Sequence, residues 1–101
     1  MEANVIYQDR RAVIRLGGRF DFNAHREFRE AADAAMGRQD VREVHVDMNN
    51  VVYLDSSALG MLLMLRDKAK SAQKDLALAN CGGNVRQVLD IANFTKLFRV
   101  V

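Results

Sequence analysis

The chain has 101 residues, half of them apolar and 28% charged, with a net charge of +2 at neutral pH. That length suits one domain, residues 1–101, with a core of its own, and the small charge without a dense basic run argues against nucleic acid as a partner. A single cysteine, no signal-like apolar leader and no apolar stretch longer than Met61–Leu65 point to a reducing, cytoplasmic setting with no membrane partner.

Val5–Tyr7 and Ala12–Leu16 read as two short strands, and the polar turn Gln8–Arg11 between them makes a hairpin. Gly17 and Gly18 are expected to end the second strand. Asn23 can cap a helix whose Phe28, Ala31, Ala32, Ala35 and Met36 follow the spacing of one helical face, with Gly37 at its end. Arg26, Arg29, Glu30 and Asp33 cover its other face, where the pairs Arg26–Glu30 and Arg29–Asp33 contribute about 0.2–0.5 kcal/mol each. Val44, Val46 and Met48 then alternate with Glu43, His45 and Asp47 as a strand, and Asn49-Asn50 is a turn or bulge before Val51. His45 is expected on an exposed or edge face.

A second helix begins at Ser56 or Ser57 and runs to about Ala72. Gln73–Asp75 turns into the strand Leu76–Ala79. Gly82-Gly83 leads to Asn84, read as a cap with Gln87 three residues on, and Val85, Val88, Leu89 and Ala92 mark a short third helix. Phe94, Leu97, Phe98, Val100 and Val101 close the chain with apolar contacts or a last strand. Helices alternating with strands after an initial hairpin make an α/β domain with parallel neighbours.

Two patterns meet at Asp55-Ser56-Ser57. Before this trio Val51–Leu54 reads as a strand end; after it the apolar residues fall at helical spacing. Asp and Ser cap helices because their oxygens accept the unpaired N–H groups of the first turn. The same donors, with the helix dipole, tolerate a negative group, so a serine here can carry a phosphate without disrupting the helix behind it. Capping alone would also account for the trio. The helix that follows sets Ala58, Leu62, Leu65, Ala69 and Ala72 on one face, with Leu59 and Met61 at its margins. Gly60, Met64 and Asp67 point away, on the side of Ser56. A glycine one turn into a helix costs about 1 kcal/mol against alanine, and methionine gives adaptable apolar contact. A docking face around Ser56 that takes in Ala58, Gly60, Met61 and Met64 follows. Asp21 sits in a loop after a strand, as Asp55 does; spacing alone allows it to bond local backbone and no more. His25 and His45 lack ligand spacing, so no metal is expected, and no cofactor either. Cys81 has no charged neighbour to activate it, and Gly82-Gly83 lacks the spacing of a nucleotide loop.

Asp55-Ser56-Ser57-Ala58-Leu59-Gly60 resembles the signature of STAS domains of the anti-sigma factor antagonist type. Gly18-Arg19-Phe20-Asp21 is similar to the element before that family's first helix, and Leu78–Cys81 and Asn93–Phe98 to its closing segments. The resemblance implies the STAS fold, a mixed sheet of about five strands with three helices. The family's usual C-terminal helix would be lacking here. It implies Ser56 as a phosphorylation site with Asp21, Asp55 and Ser57 around it. Spacing does not separate Ser56 from Ser57; the resemblance selects Ser56. The partners it implies are an anti-sigma factor, a serine protein kinase of the histidine-kinase-like ATPase type, and a PP2C-type phosphatase. The chain itself would be no enzyme. A STAS scaffold or accessory subunit of a signalling or transport assembly, never phosphorylated, is the alternative. A hydrolase using Ser56 lacks a histidine placed beside it by the sequence.

Overall fold

Alternation of apolar and polar residues builds a sheet with one covered face. In the computed structural model, which describes residues 1–101, β1 (Glu2–Gln8) and β2 (Arg11–Phe20) form the expected hairpin. Its turn is only two residues long: Asp9 and Arg10 both take positive φ, 50° and 66°. That geometry matches the right-handed twist of the flanking strands. Next come α1 (His25–Met36), β3 (Glu43–Leu54), α2 (Ser56–Ser71), β4 (Asp75–Ala79), α3 (Gly83–Ile91) and β5 (Arg99–Val100). The strands lie in sequence order, β1-β2-β3-β4-β5, with β1 antiparallel to β2 and every other pair parallel. The mixed five-stranded sheet with three helices is thus the fold read from the sequence.

Several local expectations are corrected. Gly17 and Gly18 do not end β2; the strand runs through them to Phe20, absorbing two register shifts against β3. Gly18 lies at φ +91°, a conformation a side chain would strain. Asn49-Asn50 stays within β3, so it is the bulge and not the turn. Asn23 does not cap α1. Asp21 caps a short 3-10 turn, Phe22–Ala24, ahead of it, and α1 starts at His25 with no side-chain cap. Nor does Asn84 cap α3: Gly82 holds that position, and the Asn84 amide donates instead to the Val52 carbonyl at 3.2 Å.

Ala12, Ile14 and Leu16 of β2, Val44, Val46 and Met48 of β3, and Leu78 of β4 all point one way. They join Phe28, Ala31, Ala32 and Ala35 of α1, Ala58, Met61, Leu62 and Leu65 of α2, and Val85 and Leu89 of α3 in one core cluster. Each large side chain buried there stabilises the fold by about 1.5–3 kcal/mol. The alternate set, Arg11, Val13, Arg15, Glu43, His45 and Asp47, faces the other way. His45 is not at an edge: β3 is paired on both sides, and the imidazole is only 12% exposed. Its Nε2 lies 2.8 Å from Glu43 Oε1 but too obliquely for a hydrogen bond. Burial pushes the Glu43 carboxyl up. Hydrogen bonds from Arg11 and Arg99 outweigh that and hold it below its ordinary range.

Candidate functional site

Parallel pairing brings the two aspartates together. Phe20 ends β2 opposite Leu54, the end of β3, so the residues that follow, Asp21 and Asp55, leave the sheet on adjacent strands about 4.8 Å apart. The Asp55 amide donates to the Phe20 carbonyl at 3.2 Å, tying the two exits. Both side chains then do the same local work. Asp21 Oδ1 accepts from the Asn23 amide at 3.0 Å, and Asp55 Oδ1 from the Ala58 amide at 3.0 Å. The second is an N-cap, and it sets Ser56 and Ser57 as the first two residues of a 16-residue helix. Both serines are exposed. A group on Ser56 would therefore meet the free amides of a helix start, next to the residue that caps it.

Phe22 is 68% exposed and Met64 46%, and Val52 and Tyr53 are exposed as well. Gly60 lies on the open side of α2, and a Cβ built there would touch nothing within 4 Å. Two of the expected docking residues are corrected: Ala58 is wholly buried and Met61 is 4% exposed. Helix α2 packs on α1 as well as on the sheet, so its buried stripe is wider than one face and takes in the residues at its margin. Ala58 and Met61 hold the helix; Gly60 and Met64 are what a visitor would meet. Beside Met64 a shallow crevice between α1 and α2 is lined by His25, Phe28, Ala32, Leu65 and Lys68.

Arg19 and Phe22 escaped the sequence reading. The Arg19 guanidinium stacks on the Tyr53 ring at 4.1 Å and its Nε lies 3.6 Å from Asp21 Oδ2. No periodicity marks such a residue; only the register of β2 against β3, which pairs Arg19 with Tyr53, places it. The histidines take no part in a ligand cluster, and no group of three or more His, Cys, Asp or Glu side chains gathers anywhere in the chain. Burial raises the thiol pKa of half-buried Cys81. No helix is long and apolar enough to cross a membrane.

Comparison with known proteins gives the family and supports the fold. A family model described as Mlab, STAS domain, matches residues 4–100. A STAS-domain containing protein of Pseudomonas aeruginosa (strain UCBPP-PA14), PA14_20770, is 48% identical over 87% of this chain and 85% of its own. BtrV of Bordetella bronchiseptica, a candidate anti-sigma factor antagonist, is 30% identical over 77% of this chain and 67% of its own. Among solved structures, the anti-sigma factor antagonist SpoIIAA in its unphosphorylated form aligns over 98% of this chain and 86% of its own, with a TM-score of 0.73 at 19% identity. The Bacillus SpoIIAA in its phosphorylated form aligns over 98% and 90%, at 0.72 and 19%.

Proposed function

This chain belongs to the STAS domain family, and from that premise, with its similarity to BtrV, we propose that it is an anti-sigma factor antagonist, a binding switch thrown by phosphorylation of Ser56. Unmodified, the surface of Ser56, Gly60 and Met64, extended by Phe22 and Tyr53, docks on an anti-sigma factor and so frees a sigma factor. A serine kinase of the histidine-kinase-like ATPase type transfers the γ-phosphoryl of ATP to the Ser56 hydroxyl: the Oγ–P bond forms as the bond to ADP breaks. A PP2C-type phosphatase hydrolyses the ester and resets the switch. The chain supplies the acceptor and its partner the nucleotide chemistry, so it acts as a regulator in the cytoplasm.

The observation that carries this reading is the register match of Phe20 with Leu54. Asp21 and Asp55 follow those paired residues, and Asp55 caps the helix that opens on exposed Ser56. A phosphate brings about −1.5 to −2 charges to that spot. The carboxylates repel it, and an incoming apolar partner would have to desolvate it. The free amides of α2 accommodate it, so the fold persists while the docking face changes sign.

Incubation with the cognate kinase and ATP, followed by peptide mass spectrometry, tests the assignment. Modification at Ser56 is expected; modification confined to Ser57 would overturn it. In pull-downs, Ser56→Asp should lose the anti-sigma factor that the unmodified chain captures. Equal capture by both would favour the unphosphorylated scaffold.

A further inference from the structure

The face of the sheet opposite the helices carries a pattern that the switch does not use. Strand β2 presents Arg11, Val13 and Arg15 there, and β3 presents Glu43, His45 and Asp47, paired Arg11–Glu43, Val13–His45 and Arg15–Asp47. Ile6 of β1 stands beside Val13, and Ala77 of β4, already wholly buried within the chain, stands beside His45. Cations occupy one strand and carboxylates the next, with an apolar row, Ile6 and Val13, across the middle. Ile6 is 42% exposed. Arg15 is exposed and, unlike Arg11, makes no ion pair within the chain. Parallel strands are ordinarily covered on both faces; the buried helix side chains here, Ala69 apart, belong to the cluster on one face only.

We propose that a second copy of this chain covers the open face, the two sheets stacked about a two-fold axis that runs parallel to the strands between β2 and β3. Rotation about that axis sets β2 over the partner's β3 and keeps the rows in step. Arg15 then faces the partner's Asp47 and Arg11 the partner's Glu43, each contact made twice, while exposed Ile6 lies over the partner's β4. The charge pattern selects this operator. An in-plane axis across the strands would lay Arg15 over the partner's Arg11 and Asp47 over the partner's Glu43, and like charges so placed repel. Isologous contacts of this kind close at two copies.

Four strands about 4.8 Å apart and five residues long project on the order of 300 Å2. A standard interface buries about 800 Å2 per partner, so this dimer is weak and forms at high chain concentration. It leaves Ser56 and α2 uncovered on the other side of the molecule, and it stands whether or not Ser56 is ever phosphorylated.

Sedimentation equilibrium over roughly 10 μM to 1 mM tests it. The wild-type chain should show a monomer–dimer equilibrium weakened by salt. Arg15→Asp alone and Asp47→Arg alone should each associate at least tenfold more weakly, because each sets like charges face to face twice. An equimolar mixture of these two variants should restore association, since every facing pair is again of opposite sign. Should Asp47→Arg not fold, Ile6→Asp at its exposed position should also abolish association, while Ile91→Glu, on the exposed end of α3, should leave it unchanged. A wild-type chain monomeric throughout, or single variants that associate as the wild type does, would overturn the proposal.

Discussion

Helices α1 and α2 lie side by side on the same sheet and treat solvent in opposite ways. The outward face of α1 is charged from end to end. Arg26 reaches Glu30 at 3.4 Å and Arg29 reaches Asp33 at 3.8 Å, each one turn apart. The outward face of α2 has no charge in its first three turns: Ser56, Ser57, Gly60 and Met64 come before Asp67. Both helices bury enough apolar surface to be held, so the core does not explain the difference. A face built for water looks like α1. A face that gives up helix propensity at Gly60 and leaves Met64 bare is suited to contact, and the phosphorylatable serine stands at its head.

The comparison can be broken by substitution, beginning where the effect should be largest. Met64→Glu should weaken capture of the anti-sigma factor about tenfold, a loss of about 1.4 kcal/mol, and leave the thermal midpoint nearly unchanged. The matched change on α1, Glu30→Ala, should alter neither by a measurable amount. Asp55→Ala removes the cap of α2 and should cost about 1 kcal/mol of stability in urea titrations. Removing Asn23, whose side chain caps nothing, should not. Gly60→Ala should raise stability by about 0.5–1 kcal/mol, since a methyl there meets open space, while lowering partner affinity. A gain in both would mean that the open side of α2 is not a contact surface.

The smallest effect concerns the one ion pair that links the two helices, Lys68 Nζ to Asp33 Oδ1 at 2.7 Å. The hydrogen bond from Lys68 holds the Asp33 carboxyl below its ordinary value of 3.8. A folded-state pKa below the unfolded one contributes stability above the unfolded value and loses it as pH falls through the folded one. Asp33 is half exposed and well solvated, so Asp33→Asn should cost at most about 0.5 kcal/mol at pH 7. Chemical denaturation should show that difference vanishing as the pH falls below 3.8.

The sheet and helices were legible because burial imposes period 2 on Val44, Val46 and Met48 and a stripe on Phe28, Ala31, Ala32 and Ala35. What was misread shares one cause: a local signal with two readings, decided by tertiary contact. Asn84 looks like a cap, yet the Val52 carbonyl of β3 takes its amide. Gly17-Gly18 looks like a stop, yet β3 continues alongside and the glycines absorb the bulges. Met61 looks marginal on a helical projection, yet α1 covers that margin. In the site, Ser56 and Asp55 could be read from the junction itself. The nearness of Asp21, and the presence of Arg19 on Tyr53, depend on a parallel register that spacing along the chain does not carry.

Binding to the anti-sigma factor, measured by calorimetry for the unmodified chain and for the chain carrying phosphoserine at position 56, tests the switch most directly. Dissociation constants at least a hundredfold apart, about 2.7 kcal/mol, with the phosphorylated chain the weaker binder and its thermal midpoint unshifted, are the predicted result. Equal dissociation constants, or weaker binding that comes only with unfolding, would contradict it.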